Sequence, residues 1–137
     1  MGLAFLHAYA GDGARVHGFC RAPEKLEAPE AARLYRLDVT DAQSIHAAVA
    51  EMGEPIDLYI HNAGVYGPRE SRAQALDTDA WARVMRVNVI GALACALAFR
   101  PLVAASRRKT MVFLTSRMGS IADNRSGGSM IYRSSKA

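Results

Sequence analysis

A chain of 137 residues, half of them apolar and 22% charged, has the size and composition of one folded domain and not of a disordered segment. Its net charge of +4 comes from basic residues spread along the chain, with one cluster at residues 107–109, so we expect no nucleic-acid partner. The two cysteines, Cys20 and Cys95, indicate neither a disulfide framework nor a metal site, and without a recognisable signal peptide the expected location is the cytoplasm.

The first third of the chain alternates helical and extended segments. Residues 3–10 are predicted to form a helix, and a Gly-Asp-Gly turn separates them from a short strand at residues 15–20. A second strand is predicted at residues 33–37, and it leads directly into Asp38.

The next helix and strand are marked by turn and capping signals. Thr40 and Gln43 have the spacing of a capping box with Thr40 as the N-cap, and Gly53 is predicted to end the helix. Residues 55–60 then form a predicted strand that runs into the turn at residues 61–64.

A long helix is predicted to begin at Asp77 and to reach residue 105, with a kink or a break at Pro101. The longest weakly polar run within it, residues 87–99, is too short to span a bilayer, so we expect no membrane partner.

The end of the chain is predicted to hold one more strand and one more helix. Residues 110–114 form the strand, and a polar loop follows at residues 117–128. Ser129 is expected to cap a last helix that carries Tyr132 and Lys136.

Strands that alternate with helices favour parallel βαβ units, and the predicted fold is therefore a doubly wound α/β sheet. In such folds ligands bind outside the carboxyl ends of the strands. Asp38, Asn62 and Ser116 all fall at predicted strand ends. This shared placement is the first functional signal in the sequence.

Tyr132 and Lys136 have the i, i+4 spacing of two residues on one helix face. A lysine ammonium beside a phenol favours the phenolate, which would lower the tyrosine pKa and suit a general acid or base. The alternative is an ordinary surface pair, which is the commoner reading of this spacing alone.

The other candidates also have two readings each. Ser116 is either a turn residue or a catalytic hydroxyl. Asn88 is either an exposed residue of a helix or one whose side chain or distorted backbone holds a water. The turn at residues 61–64 is either a simple loop or a place where small residues let a planar ligand approach the backbone.

Together these segments resemble the classical short-chain dehydrogenase/reductase family over essentially the whole chain. The stretches that carry the resemblance are DVTD at residues 38–41, HNAGVYGPR at 61–69, VNVIG at 87–91, LTSRMGSI at 114–121 and YRSSKA at 132–137. His61 stands where the family has an asparagine. The long segment between Ser116 and Tyr132 and the sequence GVYGP are most similar to the carbonyl-reductase-like subgroup that includes the C-factor and sniffer proteins.

The resemblance implies an oxidoreductase that transfers a hydride between a nicotinamide and a small carbonyl or alcohol substrate. Tyr132 would be the general acid or base, and Lys136 would assist Tyr132 and bind the nicotinamide ribose. Ser116 would bind the substrate oxygen, and Asn88 would hold a water in a proton relay. The chain's helix around Asn88 is similar to one that family members use for pairing, so a homo-oligomer is possible.

The same resemblance implies where the cofactor binds. Cys20 occupies the position at which an acidic residue favours NAD, and the following Arg21 could pair with a 2′-phosphate, so NADP(H) is favoured over NAD(H). The resemblance also implies that Tyr132 and Lys136 contact the cofactor. The remaining residues implied in cofactor binding are Gly2, Asp38, Val39, Asn62, Ala63 and Gly64.

Two departures from the family pattern are visible. The family opens with a strand and a glycine-rich phosphate loop, of which this chain has only Gly2, and it continues beyond Lys136. Residues 1–137 are therefore expected to form a partial dinucleotide-binding domain that lacks the central strand and leaves a groove between the others. The alternative to a piece of an enzyme is a non-catalytic remnant or a protein that depends on a partner chain.

Overall fold

A computed structural model describes residues 1–68 and 77–137. Arg69, the last residue of the HNAGVYGPR stretch, lies outside the described residues. The first part of the chain forms three strands and two helices, in the predicted order. They are α1 (Gly2–Gly11), β1 (Val16–Cys20), β2 (Ala32–Arg36), α2 (Ala42–Met52) and β3 (Leu58–His61), with a 3₁₀ turn at Pro23–Lys25.

The N-cap of α2 is Asp41, so the prediction of Thr40 was wrong by one residue. The Asp41 carboxylate accepts a hydrogen bond from the Gln43 amide at 2.9 Å. Thr40 is engaged elsewhere, because its amide and its hydroxyl both donate to Asp38 Oδ1 at 2.9 and 2.7 Å. Gly53 ends the helix as predicted, in the left-handed conformation with φ of 62°.

The predicted long helix is continuous from Thr78 to Ala104 but changes its winding in the middle. It consists of α3 (Thr78–Met85), a π-helical segment (Arg86–Gly91) and α4 (Ala92–Ala104). Asp77 caps it as predicted, accepting from the Ala80 amide at 2.8 Å. The helix continues through Pro101 to Ala104, so the predicted break at that residue is absent.

This helix is longer than the apolar run at residues 87–99. Thr78–Ala104 has 27 residues and a mean hydropathy that reaches 1.8, so by length and composition it could cross a membrane. Core helices of soluble proteins meet the same criterion, and one such helix is weak evidence. The expectation that the chain has no membrane partner therefore stays a prediction.

The last elements are β4 (Thr110–Phe113), a 3₁₀ turn at Arg117–Gly119 and α5 (Met130–Ser134). Ser129 precedes α5 as expected, but its side chain does not cap the helix. Its φ of 48° is left-handed, and its hydroxyl is instead paired with the Tyr66 hydroxyl at 2.9 Å. The prediction of a capping Ser129 was wrong for this reason.

The strands form two parallel pairs, which confirms the α/β class. β1 pairs with β2 from Val16↔Ala32 to Cys20↔Arg36, and β3 pairs with β4 from Leu58↔Thr110 to His61↔Phe113. Among the described residues no strand joins the two pairs. The sheet is thus divided into two half-sheets, as expected for a domain without the family's central strand.

Helices cover both faces of β1. A Cβ on Gly18 would be 3.1 Å from the Leu6 side chain of α1, whereas the next residue, Phe19, meets Phe99 of α4 at a ring distance of 5.1 Å. Successive strand residues point to opposite faces, so α1 and α4 lie on opposite sides.

One hydrophobic core unites the two half-sheets. Phe99 of α4 contacts Phe19 of the first pair and Tyr59 of the second, each at 5.1 Å between ring centroids. The buried residues of this core are Tyr35, Leu37, Ile45, Ala48, Met52, Cys95 and Phe99. This core packs α2 and α4 against both half-sheets.

Candidate active site

A cavity of about 260 Å³ opens at the carboxyl ends of β3 and β4. Its walls are the first residue of the chain, the turn after β3, the end of β4, and α5 with the turn that follows it. The lining residues are Met1, Asn62, Gly64, Val65, Tyr66, Leu114, Thr115, Tyr132 and Lys136. A second hollow of about 300 Å³ between α2 and α4 has apolar walls apart from His46, so the first cavity is the one that can do chemistry.

Tyr132 and Lys136 both line this cavity, but they do not share a helix. α5 ends at Ser134, and the amides of Lys136 and Ala137 both donate to the Arg133 carbonyl in a closing turn. The prediction of one helix face was wrong, because the short helix ends two residues before Lys136. The lysine Nζ donates to the Leu114 carbonyl at 3.0 Å, which holds the ammonium at the end of β4.

Gly119 leaves the space in which Lys136 is seated. A Cβ built on Gly119 would overlap the carbonyl group of Lys136. The 3₁₀ turn after Ser116 therefore packs against the backbone of the last turn, and only a residue without a side chain allows this approach.

Asn88 is buried at the π-helical segment and joins two parts of the site. Its Nδ2 donates to the Val65 carbonyl and to Ser135 Oγ, both at 2.9 Å, and its Oδ1 accepts from the Val65 amide at 2.8 Å. The reading of an exposed asparagine was wrong, and the expected backbone distortion is present as the π-helical segment. Protein groups occupy both ends of the amide, so Asn88 ties the turn after β3 to the end of α5.

The turn after β3 brings small and polar groups together. A Cβ on Gly64 would be 3.4 Å from Asn88 Oδ1 and 3.9 Å from Lys136 Nζ. A Cβ on Gly2 would be 2.9 Å from the Asn62 amide nitrogen, so the start of α1 approaches the same turn. Ala63 lies between these residues without lining the cavity.

Ser116 is not among the residues that line the cavity. Its hydroxyl accepts a hydrogen bond from the Met118 amide at 3.2 Å and caps the 3₁₀ turn. The neighbouring Thr115 lines the cavity in its place. The turn-residue reading of Ser116 describes this structure, and its catalytic role stays a prediction.

Asp38, Val39 and Arg21 form a second group at the ends of β1 and β2. Hydrogen bonds from the Thr40 amide and hydroxyl lower the pKa of Asp38, and the nearby Arg21 charge acts in the same direction. A Cβ on Gly91 would be 2.6 Å from the Val39 carbonyl oxygen, so the long helix packs closely on this group. Arg21 is exposed.

His61, the last residue of β3, is buried next to the site. It is 7% exposed, its Nδ1 is 2.9 Å from the Tyr59 hydroxyl, and its buried Nε2 has no partner among the described residues. Burial lowers the pKa of His61, and the Lys136 charge lowers it further. A histidine in place of the family's asparagine was visible in the sequence, but its burial was not.

The residues that sequence reasoning missed at the cavity are Tyr66, Leu114 and Thr115. All three lie within the HNAGVYGPR and LTSRMGSI stretches, shortly after β3 and β4, so the strand-end rule could have named them. Within residues 1–68 and 77–137, no group of three His, Cys, Asp or Glu side chains could hold a metal ion.

Comparison with known proteins relates the whole chain to one family. A family model described as short chain dehydrogenase matches residues 1–137. The 1-hydroxy-2-glutathionyl-2-methyl-3-butene dehydrogenase of Rhodococcus sp. (strain AD45) is 39% identical over 74% of this chain and 44% of its own length. Galactitol 2-dehydrogenase (L-tagatose-forming) of Cereibacter sphaeroides is 34% identical over 99% of this chain and 56% of its own length. C-signal of Myxococcus xanthus is 37% identical over 61% of this chain and 49% of its own length. The chain thus spans about half the length of the curated relatives that it matches.

Solved structures share the fold. A carbonyl reductase from Pseudomonas aeruginosa PAO1 superposes with a TM-score of 0.85 and 28% identity, over 98% of this chain and 64% of its own. The structure of a carbonyl reductase from the same organism in complex with NADP superposes with a TM-score of 0.81 and 25% identity. The match covers 98% of this chain and 64% of that one. A Caenorhabditis elegans protein described as the carbonyl reductase Sniffer superposes with a TM-score of 0.88 over 99% of this chain and 69% of its own. Its sequence identity is 23%, so this likeness shows the fold alone.

Proposed function

Because the chain belongs to the short-chain dehydrogenase family, we propose that it serves NADP(H)-dependent hydride transfer between a nicotinamide and a small carbonyl or alcohol substrate. The observation that carries this proposal is that Tyr132, Lys136, Asn62 and Gly64 line one cavity at the carboxyl ends of two parallel strands. A phenol and an ammonium that meet at such an edge are suited to moving a proton on a reacting oxygen.

Tyr132 acts in this proposal as the general acid or base. Among the described residues the Tyr132 hydroxyl makes no hydrogen bond, so it is available to a substrate oxygen. In reduction it gives its proton to the developing alkoxide, and in oxidation it takes the proton from the alcohol. The bound dinucleotide would supply the hydride.

Lys136 and Asn88 support this step. The Lys136 ammonium, held by the Leu114 carbonyl, favours negative charge on a neighbouring oxygen and has donors left for a ribose hydroxyl. Asn88 holds the turn at Val65 and, through Ser135, the end of α5. Ser116 accepts from the Met118 amide and keeps its O–H as a donor, but this hydroxyl would have to turn into the cavity to bind the substrate oxygen.

The residues at the strand ends fit a dinucleotide. Gly64 and Gly2 keep the space beside the Asn62 amide free of side chains, which suits a planar group lying on the turn. At the far end the ionised Asp38, with Val39 and the exposed Arg21, would hold the adenosine half. Arg21, a cation, directly follows β1, where a carboxylate would favour NAD(H). A cation at this place favours a 2′-phosphate and therefore supports NADP(H).

Cofactor binding tests the proposal. NADPH is titrated against the purified chain and followed by its fluorescence, with NADH and an Arg21→Ala variant as controls. Binding should be weak, because the glycine-rich phosphate loop of the family is represented only by Gly2. NADPH should still bind more tightly than NADH, and Arg21→Ala should remove that difference. Equal affinities in the parent chain would contradict the cofactor preference.

Turnover tests the role of Tyr132. Tyr132→Phe should reduce any carbonyl-dependent oxidation of NADPH by roughly 10²–10⁴-fold, the usual contribution of a general acid. It should change NADPH binding far less than turnover, since the ring is kept. A Tyr132→Phe variant as active as the parent chain would contradict the proposed mechanism.

A second candidate function rests on the two half-sheets. Each is paired on one side only within the described residues, which favours a chain that depends on a partner to complete its sheet. This reading predicts poor cooperativity in thermal unfolding of the isolated chain. A sharp, concentration-independent transition of the monomer would count against it.

A further inference from the structure

The ring of Tyr66 is stacked on the ring of Tyr132. Their centroids are 4.3 Å apart and their planes are inclined by 21°. The Tyr66 hydroxyl is 2.9 Å from Ser129 Oγ and donates to Met118 Sδ at 3.6 Å. Met118 and Ser129 stand near the two ends of the long loop at residues 117–128, so Tyr66 contacts that loop from both ends. These three residues, Tyr66, Met118 and Ser129, are called the latch below.

The backbone on both sides of Tyr66 is fixed. On one side the Val65 amide and carbonyl are both bonded to the Asn88 side chain. On the other side Gly67 has a φ of 75°, and a Cβ there would be 2.7 Å from Val84 Cγ2. Only glycine allows the turn to lie this close to α3 in that conformation. The Tyr66 ring is therefore anchored independently of Tyr132.

The loop that the latch contacts is tied to α5 by the residue next to Tyr132. Arg133 donates to the Gly128 carbonyl at 3.1 Å, to Ser126 Oγ at 3.1 Å and to the Met118 carbonyl at 3.4 Å. Loop and helix thus form one unit, and Tyr66 holds that unit from the side of β3.

Tyr132 needs such an external support. α5 has only five residues, and so short a helix does not hold its own side chains in place. The Tyr132 hydroxyl makes no hydrogen bond to the described residues, so its direction is set by contacts of the ring. An aromatic stack can fix the ring while leaving the hydroxyl free for a substrate oxygen.

We propose that Tyr66 is the positioning residue of the site, which orients the Tyr132 ring by stacking and closes the loop at residues 117–128 through the latch. The inference rests on the proposed role of Tyr132 and adds to it Tyr66, a residue of the HNAGVYGPR stretch to which the resemblance assigns no part in the reaction. It also assigns a structural role to the GVYGP sequence and to the long loop. Hydride transfer alone requires neither of them.

Proton NMR of the tyrosine rings tests the stack without any need for turnover. The chain has five tyrosines, and Tyr66→Phe and Tyr132→Phe assign the two signals of interest. The parent chain should show cross-relaxation between these rings and an upfield ring-current shift of Tyr132. Tyr66→Phe should keep the shift, whereas Tyr66→Leu should lose it. Tyr9→Leu, on exposed α1, is the matched control and should keep it.

Kinetics then separate positioning from a merely structural role. With NADPH and a carbonyl substrate, Tyr66→Leu should lower kcat roughly two- to tenfold, the factor that corresponds to one aromatic stack, with KM little changed. Tyr66→Phe keeps the stack but removes both hydrogen bonds of the latch, so its rescue of most of this loss would assign the loss to the stack.

Two outcomes would overturn the inference. One is the absence of cross-relaxation between the two rings in the parent chain, a result that does not depend on any variant folding. The other is an unchanged Tyr132 ring shift in a folded Tyr66→Leu. A fully active Tyr132→Phe would instead overturn the proposed function and leave the ring measurements unaffected.

Discussion

Gly119 controls the position of Lys136, because its missing side chain leaves room for the backbone of the last turn. We expect Gly119→Ala to displace that turn and to lower the free energy of unfolding by about 1–3 kcal/mol, the usual cost of overpacking a close contact. Urea unfolding followed by circular dichroism measures the change.

Gly11→Ala is the matched control for this substitution. Gly11 is the last residue of α1, and a Cβ there would meet nothing within 4 Å. Alanine should leave the stability unchanged or raise it by up to about 1 kcal/mol, since it is the better helix former. Equal effects of the two substitutions would contradict the crowding at Gly119.

His61 should make the stability depend on pH. Burial and then the charge of Lys136 lower its pKa, so the folded protein binds a proton at His61 less readily than the unfolded chain. Where the unfolded chain binds more protons, stability rises with pH. The free energy of unfolding should therefore fall as the pH drops below about 6.5, by at most about 1.4 kcal/mol per pH unit for one proton.

Urea unfolding between pH 7 and pH 5 measures this slope. His61→Asn should reduce the slope without abolishing it, because burial also lowers the pKa of His17. His7→Asn, on the exposed face of α1, serves as the control and should leave the slope as it is. A parent chain equally stable at both ends of this range would show that His61 accepts its proton without cost.

The strand-end rule named Asp38, Asn62 and Ser116, and of these only Asn62 lines the cavity. Asp38 lies at the end of β2 instead, and Ser116 follows β4 without lining the cavity. The rule does not say which local partner a polar group takes. Ser116 bonds the Met118 amide, and Asn88 bonds Val65 and Ser135, through contacts that only the folded chain creates.

At the scale of elements, the order of helices and strands was predictable from alternating apolar patterns, turn glycines and the cap at Asp77. A distorted backbone at Asn88 was one of two readings of that residue, but a π-helical segment from Arg86 to Gly91 was not predictable from helical periodicity. There the Asn88 side chain reaches into the turn after β3, and Gly91 packs on the Val39 carbonyl. The turn after β3 and the Val39 carbonyl are both distant from this segment in the sequence. The apolar periodicity of the helix therefore gives no sign of the distortion.

The outer face of the long helix predicts self-association. Ile90, Leu93 and Leu97 lie at helical spacing and are 61%, 61% and 54% exposed. A contiguous apolar stripe of this kind indicates an interaction surface. We expect the chain to form dimers or larger assemblies, and Leu93→Glu to shift it towards the monomer in sedimentation equilibrium.

Leu26→Glu is the charge-matched control for this helix variant. Leu26 is also partly exposed but lies outside the stripe, so its substitution should leave the assembly unchanged. If the stripe instead contacts a bilayer, the chain will co-sediment with phospholipid vesicles and Leu93→Glu will release it. A parent chain that is monomeric and does not co-sediment with vesicles would contradict both self-association and membrane contact through this stripe.

At the scale of the whole molecule, the two half-sheets are held together by packing on the long helix. Phe99→Ala should lower the free energy of unfolding by about 3–5 kcal/mol, the usual cost of removing a buried phenyl ring. Because the ring contacts both half-sheets, we also expect the unfolding transition to broaden. Chemical denaturation monitored by two probes, circular dichroism and Trp81 fluorescence, measures both effects.

Phe113→Ala is the control, since Phe113 belongs to the same aromatic group but is half-exposed. Its loss should cost clearly less and should leave the transition sharp. Similar effects of the two substitutions would mean that Phe99 is not what joins the half-sheets.

The architecture of the whole molecule was predictable only through the family resemblance. Periodicity indicates parallel strands, but it does not reveal that they form two separate pairs. The family resemblance predicted a groove between the strands, and the division into two pairs was seen only in the structure. The gap is bridged by the Phe99 side chain, and the choice of that residue depends on three-dimensional packing, which sequence spacing does not encode.

The open edges of β1 and β3 have a practical consequence for anyone who handles this protein. Backbone N–H and C=O groups that no described strand pairs are templates on which further chains can add as strands. Concentrated solutions should therefore form β-rich aggregates after a lag that shortens as protein concentration rises. A lysine introduced at Gly18, in the middle of β1, would not be a remedy, because Leu34 and Leu6 already fill the space beside that residue. Low concentrations and short storage are the conditions under which the chain should stay in solution.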